Sequence, residues 1–301
     1  MLNPRIISCL LVVLVIGVAS AQEDIPQYNP NSVDPIPRYE HLFKLRVWRV
    51  IDLNEKQNKG FFSNNGEITR LILKAYNSGE IAFSYKDDSL KQTQTKDEFL
   101  GKMVLAEGEM IAAWDARAYY YTGDPVSFNG VNYESTVDNN IGINPSTARN
   151  GEWQPTQRGR AITVSPRDIT RITIMEDVIF DRRRSRLYYD IQAVKLEFLN
   201  ENGGFWQALG WFKYKDLEKV FRNHPAEAVW FNRQNTAENK NFADALILRL
   251  FKGVIEKIEN PDDLRIEDIY TANGRPYFES VWAREWAEIQ LMEKEHNLWE
   301  Y

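Results

Sequence analysis

Between Ile169 and Tyr214 three apolar stretches follow one another with only short polar turns between them, and no other segment restricts the fold as strongly. In the first stretch Ile172 and Ile174 alternate with Arg171 and Thr173, and the run continues through Val178-Ile179-Phe180 to the polar Asp181-Arg182-Arg183-Arg184-Ser185. Alternation with a period of two is the mark of a strand with one face covered. The second stretch puts Leu187, Tyr189, Ile191 and Ala193 on one face, then switches parity to Val194, Leu196 and Phe198. Successive strand side chains point to opposite faces, so the switch requires a bulge or a strong twist. After a turn over 200–204, Phe205 to Tyr214 is apolar on both faces, as expected near the centre of a sheet. Three strands joined by short turns make an antiparallel meander.

Helical patterns lie on both sides of it. Tyr39 to Lys59 carries apolar residues around a whole helical wheel, which predicts a deeply buried helix. Ile68, Leu71, Ile72, Ala75 and Tyr76 follow the spacing of an amphipathic helix, with Asn64 or Asn65 placed to cap it and Gly79 to end it. Ile81, Phe83 and Tyr85 then alternate as a strand does. Downstream, Leu217, Val220 and Phe221 predict a short helix, and Ala243 to Ile258 a long one. A brief element follows around Ile266, Ile269 and Tyr270, and Trp282, Trp286 and Ile289 align on a helix from about Glu279. The expected class is α+β, an antiparallel meander sheet flanked by helices. Residues 107–160 are rich in Gly, Asn and Tyr and show no period, which predicts a long, polar, irregular insertion in a single domain spanning 39–301.

The N-terminus reads differently. Arg5, an apolar run from Ile6 to Val18 and the small residues Ala19-Ser20-Ala21 have the layout of a secretory signal, with cleavage expected between Ala21 and Gln22. That run is shorter than the roughly 20 residues of a membrane-spanning helix, and no later run approaches it, so no transmembrane span is expected. Cys9, the one cysteine, lies early in the apolar run, away from where a lipid-attachment cysteine stands. Residues 22–38 hold Pro26, Pro30, Pro35 and Pro37 and read as an extended arm. The formal net charge of −6 lacks the basic field of a nucleic-acid binder, so no nucleic-acid partner is expected.

Motifs for chemistry are sparse. His41, His224 and His296 are far apart in sequence and fall in no zinc spacing, and no nucleophile elbow or glycine-rich phosphate cradle occurs, so neither a catalytic set, nor a cofactor, nor a metal is expected. Glu176, Asp177 and Asp181 are the acids that a glycan hydrolase would use, which makes a periplasmic glycan-binding or glycan-hydrolysing protein the alternative reading. Glu176 and Asp177 are adjacent in a strand, however, and point to opposite faces. The basic run Arg182-Arg183-Arg184 can grip an anionic partner or remain a solvated hairpin tip. Trp282 and Trp286 can anchor a core or a partner.

Three ordered motifs carry a resemblance. Val47-Trp48-Arg49-Val50-Ile51-Asp52-Leu53-Asn54-Glu55-Lys56, then Ile174 to Arg182, then Ala243-Asp244-Ala245-Leu246 to Phe251 are similar to successive motifs of the GldN (PorN) family, over nearly the whole chain after the leader. The resemblance implies a non-catalytic component of the type IX secretion system. It implies a location in the periplasm, held peripherally at the outer membrane by a lipoprotein partner of the GldK/PorK type. It further implies a ring built with that partner, contact with the periplasmic part of a GldM/PorM-type protein in the GldL/GldM motor module, and a role in secretion and, where present, gliding. Trp48, Arg49, Arg182, Arg183, Arg184, Trp282 and Trp286 are the residues expected at partner contacts. Asp88-Ser89-Leu90 matches an Asp-Ser/Thr-apolar glycosylation tripeptide, with Ser89 as acceptor.

Overall fold

The computed structural model describes residues 27–106, 111–148, 151–159, 162–200, 204–272 and 274–299. The leader, the Ala21–Gln22 junction and the first residues of the arm lie outside them. The main sheet has seven strands: β1 (His41–Asp52), β2 (Ser84–Tyr85), β3 (Thr93–Gln94), β4 (Arg171–Asp181), β5 (Arg186–Asn200), β6 (Phe205–Lys213) and β7 (Val254–Ile258). Their spatial order is β7-β1-β4-β5-β6-β2-β3, and each neighbouring pair is antiparallel. The expected meander is β4–β5–β6, and the class is α+β.

The parity switch in β5 has its bulge. Met175 faces Ala193 and Glu176 faces Ile191, which leaves Gln192 as the extra residue. Ile191, Val194, Leu196 and Phe198 therefore share one face, while Ala193 points to the other. A second irregularity, between Leu196 and Glu197, leaves Leu209 of β6 unpaired.

Among the described residues there are six α-helices: α1 (Ile68–Ser78), α2 (Lys96–Lys102), α3 (Tyr214–Asn223), α4 (Phe242–Ile247), α5 (Ile266–Ala272) and α6 (Tyr277–Trp299). Two cores lie along one face of the sheet. The larger joins Ile51, Ile172, Ile174, Leu196 and Phe198 to α1, α3 and α4 through Ile72, Tyr76, Leu217, Phe221, Phe242 and Leu246. The smaller joins Val47, Val178, Phe180, Leu187 and Ile255 to Ile266 of α5 and to Ala287 and Leu291 of α6. The opposite face carries a compact group of Trp48, Tyr85, Leu90, Met175, Ala193 and Trp211.

Three expectations are corrected. The segment predicted as a buried helix over 39–59 is strand β1, set between β7 and β4. A strand covered on both faces loses its alternation and looks apolar all round, and β-branched Val47, Val50 and Ile51 favour the extended form. The long helix predicted over 243–258 ends at Ile247. Arg249 adopts a left-handed φ of 55°, and Val254–Ile258 pairs with β1 instead. Neither Asn64 nor Asn65 caps α1. They turn a small hairpin, Asn65 at φ 63°, and the N-cap is Glu67, without a side-chain bond. Gly79 ends α1 at φ 84°, as expected.

Only Ser84–Tyr85 of the alternating Ile81–Tyr85 segment joins the sheet. Within 107–160, where the sequence has no period, Pro125–Phe128, Val131–Ser135 and Trp153–Pro155 form a three-stranded sheet. The indole of Trp153 donates to Ile143 O at 2.8 Å and pins its loop.

Candidate partner surface

Along β4 the residues on the core face run Ile172, Ile174, Glu176, Val178, Phe180, so a carboxylate occupies the seam between the two cores. β1 brings Arg49 to the same seam, midway between Val47 of the small core and Ile51 of the large one. Arg49 Nε lies 3.0 Å from Glu176 Oε1, and Arg249 Nη1 lies 2.7 Å from Glu176 Oε2. The left-handed turn at Arg249 sends its guanidinium there, 3.9 Å from the ring centre of Tyr189. Arg49 Nη1 also donates to Gly253 O at 3.2 Å, and its guanidinium grips both oxygens of Glu288 on α6. Burial alone would push the Glu176 carboxyl up, but Arg249 and Arg49 outweigh it and hold it below the usual range. Two arginines face two carboxylates, so the cluster, buried at Arg49 and Glu176 and half-buried at Arg249 and Glu288, is balanced in charge and ties α6 to the sheet.

The tie orients α6. Ala287, Glu288 and Leu291 turn inward. The outer face shows Phe278, Trp282, Trp286, Ile289 and Met292, exposed by 51, 64, 52, 40 and 60%. Their spacings of four, four, three and three residues make one continuous stripe. Phe278 and Trp282 meet edge to face at 5.1 Å. Contiguous exposed apolar surface of this kind makes the stripe a candidate interaction surface.

The other expected contact residues divide by burial. Trp48 and Arg49 are interior, 8% and 3% exposed, and the Trp48 ring lies 4.0 Å from Lys257 Nζ. Arg182, Arg183 and Arg184 form the exposed β4–β5 turn. Asp181 staples that turn by accepting the backbone N–H groups of Arg183 and Arg184 at 2.8 and 3.2 Å, and Arg182 N donates to Glu40 O at 2.8 Å. Ser89 is exposed in the β2–β3 turn.

The three acids of the alternative reading are fully buried and engaged. Asp177, on the face opposite Glu176, holds Arg46 at 2.6 Å and Lys44 at 3.0 Å. Its cross-strand neighbour is Asp190, whose carboxyl burial pushes up to about 6. His41 Nε2 lies 3.0 Å from Ile36 O, and His224 Nε2 lies 2.8 Å from Glu80 Oε2. Among the described residues no group of three or more His, Cys, Asp or Glu could hold a metal ion, and no helix is long and apolar enough to cross a membrane. The cluster partners Arg249 and Glu288 escaped sequence reasoning. Neither lies in a local motif, and the fold brings Glu288 to Arg49 across 239 positions.

The family profile described as gliding motility associated protein GldN matches residues 36–300. This chain belongs to the GldN family. The GldN match covers the seven strands of the main sheet and the six α-helices of the described residues. Membership in GldN associates the chain with gliding motility and type IX secretion. None of the curated proteins compared matches it.

Proposed function

We propose that this chain is a non-catalytic, periplasmic scaffold subunit of the type IX secretion system, peripheral to the outer membrane. In this reading it builds a ring with a lipoprotein of the GldK/PorK type and touches the periplasmic part of a GldM/PorM-type protein. The observation that carries the reading is the stripe on α6, where Trp282 and Trp286 stand out from a helix anchored on its other side. Aromatic residues placed this way are the common anchors of protein interfaces. Glu176, Asp177 and Asp181 support the same reading, since each is already spent on arginine or backbone partners. A general acid needs a carboxyl within reach of substrate.

Affinity purification of the tagged full chain from its own cells tests it. The expected result is co-purification with a lipoprotein in a particle far larger than one chain. Trp282→Glu combined with Trp286→Glu, at unchanged amounts of folded chain, should lose that particle. Recovery of the native chain as a lone monomer would overturn the scaffold reading.

A further inference from the structure

A cavity of about 690 Å3 opens beside the turn Lys59–Phe61 and the short strand Val229–Trp230, away from the seam and from the α6 stripe, and the scaffold reading makes no use of it. One wall is aromatic, formed by Trp230 and by Phe231, which is 40% exposed. Gly60 sets the indole in place: a Cβ there would stand 2.4 Å from Trp230 Nε1, so only glycine lets the ring lie against this backbone. Phe61 meets the indole edge-on at 6.4 Å, and Phe231 N donates to Gly60 O at 2.9 Å. Asn232 fixes the rim. Its Oδ1 accepts the backbone N–H groups of Gln234 and Asn235 at 3.0 and 3.2 Å, and its own N–H donates to Asn239 Oδ1 at 2.9 Å. The site is therefore formed before any ligand arrives.

Lys56, Gln57, Arg233 and Gln234 complete the lining. Among the described residues none of these four side chains has a hydrogen-bond or ion-pair partner. No carboxylate lines the cavity, although the chain as a whole is acidic. At Glu176 and Asp177, by contrast, the cations are engaged by acids. Here two cations and two amides stand unspent around an aromatic wall, in a volume typical of small-ligand sites.

We propose that this cavity binds a carboxylate-bearing oligosaccharide. The cations take the carboxylate, Arg233 being able to do so with two parallel bonds. The amides match hydroxyl and acetamido groups, which both donate and accept. The apolar faces of sugar rings lie on Trp230 and Phe231. An acidic peptide such as triglutamate would satisfy the cations and, through its backbone, the amides, but it offers no flat apolar face to the aromatic wall. The proposal is independent of the ring assembly.

Titration calorimetry and tryptophan fluorescence on the purified chain test it, with the N-acetylglucosaminyl–N-acetylmuramic acid disaccharide as probe. Diacetylchitobiose serves as the neutral control, and triglutamate and acetate as acidic ones. The acidic disaccharide should bind saturably and at least about tenfold tighter than each control, the gain of one charge-assisted bond. Arg233→Gln and Lys56→Gln, both at exposed positions, should each weaken it by about tenfold without changing the melting temperature. Gly60→Ala should abolish binding by displacing Trp230; if that variant fails to fold, the two exposed variants decide the outcome. The proposal is overturned if the disaccharide does not bind, if diacetylchitobiose, triglutamate or acetate binds equally well, or if both Gln variants bind like the native chain.

Discussion

Glu176, buried, and Asp190, half-buried, are two acids of the same sheet, and their surroundings move them in opposite directions. Glu176 lies between Arg49 and Arg249, which hold its carboxyl below the ordinary value. A depressed acid stabilises the fold above its unfolded pKa, and that contribution is lost as pH falls through the folded value. Asp190 faces Asp177 across β4–β5, and burial lifts it to about 6. A raised acid favours the fold below its unfolded pKa, and that advantage disappears as pH rises towards about 6. Two outcomes follow for urea unfolding. Glu176→Gln leaves both guanidinium groups without their shared anion and should cost about 3–5 kcal/mol at neutral pH, with the deficit shrinking on acidification. Asp190→Asn should be more stable than the native chain near neutrality, and the difference should vanish below the unfolded carboxylate value of about 3.9. A flat pH dependence of either difference would contradict these assignments.

At the scale of elements, Gly253 decides how β7 meets β1. A Cβ there would lie 2.8 Å from Arg49 Cγ and 2.9 Å from Val50 O, so the strand can approach only without a side chain. Gly253→Ala should therefore cost about 1–3 kcal/mol, as overpacking does. Gly101 in α2 has nothing within 4 Å of its Cβ position, and Gly101→Ala should instead stabilise by up to about 1 kcal/mol. Thermal unfolding of the pair, read side by side, separates packing from chain entropy. The same junction shows what was legible in the sequence. The β4–β5–β6 meander, the bulge in β5 and the amphipathic α1 each left a local period, and each formed. β1 and β7 were missed because β1 is covered on both faces and because the helical spacing of 243–258 is cut by the turn at Arg249. That turn is held by Glu176, some seventy residues away, and no local pattern encodes it. The aromatic stripe of Trp282, Trp286 and Ile289 was legible as a face, but its exposure was not, since period says nothing about which face is covered.

At the scale of the whole molecule, the two cores differ in depth. The larger draws on four helices, α1 to α4, and the interior of the sheet, whereas the smaller rests on few buried side chains, Ala287 and Leu291 being those supplied by α6. Ala283 and Leu298 of α6 pack against this core only half-buried, and the Arg49–Glu288 pair, in which Glu288 is 34% exposed, adds a polar tie of α6 to the sheet. Stability is not uniform in such a molecule, and elements with few buried contacts open below the global unfolding free energy. Amide hydrogen exchange should accordingly show α6 exchanging by local opening while β4 and β5 exchange only on global unfolding. Glu288→Gln weakens the grip of Arg49 while leaving Glu176 and Arg249 in place, so it should speed exchange in α6 and leave β4 and β5 almost unchanged. Uniform slowing or speeding across the chain would mean that α6 and the sheet form one cooperative unit. Local opening has a consequence for assembly: a helix that frays alone presents Trp282 and Trp286 in a fixed geometry only while Arg49 holds it. A partner that covers the stripe should then raise protection in α6 beyond the residues it touches, because its binding energy also closes the seam beneath.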